Sequence, residues 1–183
     1  MLRLTNLANK YQRRTLRPLY AQSQAYPYDV QLDPTFSRTA GALSGGTAIT
    51  GAKAAILPGL VAQKLAGEVV NVADAHAASG REFGLFANFV GGELSDIPSD
   101  FDRVGVWRGA GGVFEILAPV FSTANSLSTL AAAEAGAAAN EVYLNSNAKG
   151  QLEAAAAGAN VVNNTARLIK YLSANAIIVE LLV

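Results

Sequence analysis

The chain has no cysteine, which removes disulfides, thiol nucleophiles and thiolate metal sites together. It has one histidine, His76, so the commonest acid–base and metal-binding side chain is nearly missing. Asp74 and Ser79 stand near it in DAHAASGR, yet such residues in one loop rarely converge on a triad, and no GxSxG elbow occurs. Charge is scarce as well, at 15% of residues against the roughly 25% usual for soluble domains. A surface this poor in charge is expected to be covered by partners, which favours a large assembly. No apolar run reaches the ~18 residues of a membrane helix. The N-terminal stretch MLRLTNLANKYQRRTLRPLY lacks an apolar core of signal-peptide length. A soluble chain with no membrane partner is therefore expected.

What is present suits one domain, or one domain and an arm, in 183 residues. The hydrophobic share is 51%, but much of it is alanine, so the core is smaller than that figure implies. The net charge of zero conceals an asymmetry. Residues 1–38 hold six bases (Arg3, Lys10, Arg13, Arg14, Arg17, Arg38) against two acids (Asp29, Asp33), and the rest holds eight bases against twelve acids. A basic leader on an acidic body is expected to reach for an acidic neighbour.

Residues 1–38 read as a separate, mostly extended arm, because Pro18, Pro27 and Pro34 deny a long helix. Tyr11, Tyr20, Tyr26, Tyr28 and Phe36 are strewn through it with no clean period. Rings on an extended basic segment fit pockets of a neighbour at modest entropic cost. The same mixture stacks on single-stranded nucleic acid in other settings, but no nucleic-acid module is recognisable. Tyr11, Arg13, Arg14, Arg17, Tyr20, Tyr26 and Tyr28 are the arm's candidate interface residues. Fully extended, 38 residues span more than ~100 Å. Deleting the arm is expected to remove binding to a partner while leaving the body folded.

Residues 39–56 form a Gly/Ala/Thr-rich linker. Gly46–Lys53 has the outline of a phosphate-binding loop, but Lys53 is displaced by one place and Ala54 stands where a hydroxyl is needed. The body, residues 57–183, reads as short strands separated by Gly and Asn turns: Leu57–Leu65, Glu68–Ala73, Glu82–Val90, Glu141–Ala154 about the turn Asn147–Gly150, and Thr165–Val183 about the turn Ser173–Ala176. The last of these is expected to close a sheet or barrel. Between Ser122 and Asn140, helical spacing of Leu127, Leu130 and Glu134 predicts a short helix near 124–139, capped by Ser122 or Thr123 and ended by Gly136. Val104–Phe121 carries the strongest local signal. Two alternating β-favouring runs joined by Gly109-Ala110-Gly111-Gly112 predict a β-hairpin. Val104, Val106, Phe114 and Ile116 are expected in a barrel interior, and Trp107 and Arg108 against a neighbouring subunit. The fold class is all-β: a barrel or sandwich of short antiparallel strands, an extended arm, and at most one or two short helices.

Chemistry is nearly missing from this inventory. Glu93, Asp96, Asp100 and Asp102 cluster, but their spacing misses the DxDxDG calcium loop, and a solvated or arginine-pairing loop is expected. Asn163-Asn164-Thr165 is a sequon by chance if the protein is never secreted. No catalytic residue, metal or cofactor is expected, and a structural or interaction protein is.

From residue 57 onward the order of features resembles a known family. FGLFANFVGGELSDI, VGVWRGAGGVFEILAP, EVYLNSNAKGQLEA and ARLIKYLSANAIIVELLV resemble the capsid decoration (cement) proteins of tailed bacteriophages. The resemblance implies a small β-rich virion protein on the outside of an icosahedral head, assembled in the bacterial cytoplasm and clamping neighbouring capsid subunits. Its implied partners are the major capsid protein and other copies of itself, as a trimer or dimer, with nucleic acid not expected. Two alternatives stand beside it: a tail or connector component, and a glycan- or small-ligand-binding β-barrel.

Overall fold

The computed structural model describes residues 15–20, 26–32, 56–66, 69–73, 82–87, 103–139, 141–155 and 164–183. Among them the strands are β1 (Leu16–Tyr20), β2 (Tyr26–Leu32), β3 (Val61–Lys64), β4 (Val69–Val72), β5 (Glu82–Phe86), β6 (Arg103–Arg108), β7 (Val113–Leu117), β8 (Tyr143–Ser146), β9 (Leu152–Ala154), β10 (Ala166–Ser173) and β11 (Ala176–Leu181). A 3-10 turn (Asn125–Leu127) and helix α1 (Leu130–Ala139) lie between β7 and β8. The strands form two layers. A closed five-stranded barrel runs β2-β4-β3-β5-β6, and a six-stranded antiparallel sheet runs β1-β7-β11-β10-β8-β9. The all-β expectation therefore holds, with one α-helix.

The predicted hairpin does not form. Its two arms are both strands, as the alternation required, but they belong to different layers. β6 pairs with β2 from Tyr26↔Arg108 to Gln31↔Arg103 and with β5 in the barrel, whereas β7 pairs with β1 and β11 in the sheet. The Gly109–Gly112 turn carries the chain between layers and is tied to the C-terminal strand instead. Gly111 N–H donates to the Leu181 carbonyl (3.0 Å), and Leu181 N–H donates to the Gly112 carbonyl (2.8 Å). Val104 and Val106 are buried on a barrel strand, and Phe114 and Ile116 are buried on the sheet rather than in the barrel.

One apolar core joins the layers. Trp107 meets Phe114 edge-on, with ring centroids 5.3 Å apart. Phe114, Ile116, Ile177, Val179 and Leu181 are fully buried from the sheet side, and Leu85, Phe86, Val70 and Val106 from the barrel. Polar ties reinforce the seam. The Glu82 carboxylate on β5 accepts the Ser146 N–H (2.8 Å) and hydroxyl (2.5 Å) on β8. Val61 N–H donates to the Gly150 carbonyl (2.8 Å). Gly150, at φ +72 in the β8–β9 turn, lies so near the barrel that a Cβ would come within 2.4 Å of Val72.

The segment expected to be a free arm contributes two strands to these layers. β2 is a stave of the barrel, antiparallel to β6 and parallel to β4, with Leu32 buried. β1 is an edge of the sheet, with Leu16 opposite Ile116 and Pro18 opposite Phe114. An edge strand tolerates proline, and Pro27 lies where β2 has only β6 beside it. β11 is likewise not a closing strand. It lies inside the sheet between β7 and β10, which is why Ile177, Val179 and Leu181 are all buried.

The predicted helix exists, but it begins later, at Leu130, and runs on to Ala139. Its first turn is capped by Thr129, whose hydroxyl oxygen accepts the Ala132 N–H (3.1 Å). Ser122 instead supports the preceding turn by accepting the Ala124 N–H (3.3 Å). Gly136 does not end the helix. It sits within it because a Cβ there would come within 2.9 Å of both Ser126 and Val142.

Candidate assembly surface

Tyr11, Arg13 and Arg14 lie outside the described residues, as do Gly46–Lys53, the loop with Asp74, His76 and Ser79, and the acidic group Glu93–Asp102. Among the described residues, no group of three or more His, Cys, Asp or Glu is placed to hold a metal ion, and no helix is long and apolar enough to cross a membrane. The surface that can be built is one of rings and cations.

On β1, at the edge of the sheet among the described residues, Tyr20 is 59% exposed and Leu19 stands beside it half-exposed. Arg17 is exposed and pairs with Glu115 across the strand at 3.5 Å. Such an exposed pair adds about 0–1 kcal/mol, so it leaves the arginine available for exchange with a partner's carboxylate. The far half of the β10–β11 hairpin shows two further aliphatic side chains, Ile169 and Leu172.

A second group forms on the barrel. Alternation puts Arg108 on the face of β6 that carries buried Val104 and Val106, and Tyr28 on the face of β2 that carries Val30 and Leu32. Both therefore lie on the rows that line the barrel, towards the mouth at the Arg108 end of β6, with Tyr28 one pair further in, opposite Val106. Between them lies Phe83. On β5, Glu82 and Gly84 face the adjacent residues Gln63 and Ala62 of β3, so Phe83 is the extra residue of a bulge that turns its ring towards this mouth. Gly84 makes the bulge possible. A Cβ there would come within 2.1 Å of the Trp107 carbonyl oxygen on β6.

The Arg108 guanidinium lies 4.4 Å from the Phe83 ring centroid, and the Lys64 ammonium 5.9 Å from it. Tyr28 meets the same ring edge-on at 6.3 Å. Contacts of this kind contribute about 0.5–1 kcal/mol each at exposed sites, enough to hold a long side chain in place. Two of the sequence candidates, Tyr28 and Arg108, thus converge on one ring. Tyr26 pairs with Arg108 through the backbone. Trp107 points the other way. It is half-buried and packed on the core beside Phe114, which gives the indole a role in joining the layers. Phe83 and Lys64 were not legible as members of this group, since they come from two other strands.

The outer face of the sheet carries an ionic cluster. Arg167 donates to Glu180 and Glu141, and the Tyr143 hydroxyl donates to Glu141 (2.5 Å). The Tyr143 hydrogen bond, followed by that from Arg167, holds the Glu141 carboxyl below the usual carboxylate range, and the Tyr143 hydroxyl is pushed up in turn. A depressed carboxyl stabilises the fold above its unfolded pKa and loses that contribution as pH falls through its folded value. Glu141→Gln is therefore expected to melt slightly below the wild type at neutral pH, with the two melting curves converging in acid. Melting followed by circular dichroism across that range checks it.

A family model described as phage cement protein matches residues 1–182 of the chain. No curated protein and no solved structure matches it.

Proposed function

The chain belongs to the phage cement protein family, and from that premise we propose that it binds the outer surface of an icosahedral phage head and clamps neighbouring capsid subunits. Membership gives a structural role on the phage capsid. The clamping is the finer reading, and the observation that carries it is the family match along nearly the whole chain. The arrangement of the surface supports it. Rings and cations are exposed on both layers, at Arg17 and Tyr20 on the sheet edge and at Tyr28 and Arg108 on the barrel mouth. A body with two such faces can touch two capsid subunits at once.

The DNA-filled head presses outward on its shell, so a clamp acts by adding buried area across seams between subunits. The major capsid protein is the partner in this reading, and copies of the cement protein meet around a symmetry axis as a trimer or dimer. Tyr11, Arg13 and Arg14 are further candidate contacts in this reading.

The test mixes purified protein with expanded, undecorated heads. Saturable binding and raised heat resistance of the heads are expected. Absence of binding, with a labelled copy found on the tail by negative-stain imaging, would move the protein to a tail role.

A further inference from the structure

We propose that the barrel mouth formed by Arg108, Phe83 and Tyr28 is a receptor for a carboxylate side chain of the capsid protein. The proposal rests on the capsid-docking reading and names the contact chemistry of one of its faces. Arg108 is exposed and is held over the Phe83 ring, whose own position is set by the bulge at Glu82–Gly84. A guanidinium stacked on a ring still has its in-plane donors directed outward, and their fork matches the two oxygens of a carboxylate.

The acids on the two strands beside β6 are engaged elsewhere. Asp29 on β2 accepts from Arg103 at the opposite end of β6 (2.8 Å), and Glu82 on β5 is turned to Ser146. Among the described residues no carboxylate lies within ion-pair distance of Arg108. The neighbouring Lys64 brings its ammonium to 5.9 Å from the same ring centroid. Tyr28, 40% exposed, gives the mouth an apolar wall with a hydroxyl at its tip. An aromatic–arginine pair of this kind, partly shielded by rings, is the composition found at energetic centres of interfaces. An acidic side chain flanked by apolar residues is the occupant that fits all three groups.

The experiment measures binding of wild type, Arg108→Glu and Arg108→Lys to undecorated heads at low and moderate salt, with melting curves as a fold control. Arg108 is exposed, so the melting temperature is expected to hold. Arg108→Glu is expected to weaken binding on the order of tenfold or more and to reduce its salt dependence. Arg108→Lys is expected to fall between, since an ammonium keeps the charge without the fork. The lysine variant also admits a second reading. Carbodiimide treatment of the decorated head should join Lys at position 108 to an Asp or Glu of the capsid protein, identified by mass spectrometry. Unchanged head binding by Arg108→Glu overturns this inference alone, while wild-type protein that fails to bind heads overturns the docking reading beneath it. A variant that binds heads normally but loses single-stranded DNA would assign the mouth to a phosphate backbone and overturn it as well. So would a crosslink found solely between copies of this chain.

Discussion

Removing residues 1–38 is expected to unfold the barrel, and with it most of the body, rather than to strip an arm from it. β2 is the stave between β4 and β6, and its loss leaves the β6 edge opposite Tyr26–Gln31 and the β4 edge opposite Gln31 and Leu32 unpaired. It also takes out Leu32, while the loss of β1 takes out Leu16 from under the sheet. Burying those two side chains is worth about 1.5–3 kcal/mol each, before any lost backbone pairing is counted. That is a sizeable fraction of the 5–15 kcal/mol by which domains are stable. The expected result is a chain without a cooperative thermal transition, measured by circular dichroism. A cut after residue 14 separates the two roles, because β1 and β2 remain. This shorter deletion is expected to keep the wild-type melting curve while lowering affinity for undecorated heads. If the long deletion melts like the wild type, the barrel does not need β2 and the topology described above is wrong.

Phe114→Ala is expected to cost about 3–5 kcal/mol of folding stability, the usual price of emptying an aromatic site in a core. Its ring is fully buried on the sheet and receives the edge of Trp107 from the barrel, so the cavity would open on the joint between layers. Trp107→Ala is expected to cost less, because the indole is half-buried. The two losses should not add, since each removes the same ring pair, which itself is worth about 0.5–1.5 kcal/mol. Urea titration of the single and double variants reads all three quantities. Wild-type stability in Trp107→Ala together with lost head binding would return the indole to the interface and overturn its placement between the layers.

Much of the strand inventory was legible in the sequence because alternation is a local property. Val104-x-Val106 and Phe114-x-Ile116 announce their strands, and the Asn147–Gly150 and Ser173–Ala176 turns lie where β8–β9 and β10–β11 reverse. Pairing is not local. A glycine-rich turn between two strands fits a hairpin and a passage between layers equally well, and what decides is the competition from β2, β5, β1 and β11, all distant in sequence. The N-terminal segment hid a pattern that was present. Tyr26, Tyr28, Val30 and Leu32 alternate cleanly, but Pro27 in their midst reads as a breaker until β2 is known to have a single neighbour there. For the surface, Arg108 stood out beside the one tryptophan. Phe83 and Lys64 did not, because only the bulge on β5 turns Phe83 out of its strand's regular order.

The β2–β6 seam has a consequence in time. Asp29 and Arg103, which hydrogen-bond across it, are 74 residues apart in the chain. At synthesis rates of about 5–20 residues per second, β2 leaves the ribosome about 4–15 s before its partner exists. Its tyrosines and open edge must wait through that interval, until β6 has been made. The nascent chain therefore passes through a stage in which one of its earliest strands is made but unpaired. Slower growth temperatures lengthen that stage, and chaperone demand should concentrate on nascent chains that have passed residue 32 but not yet residue 108.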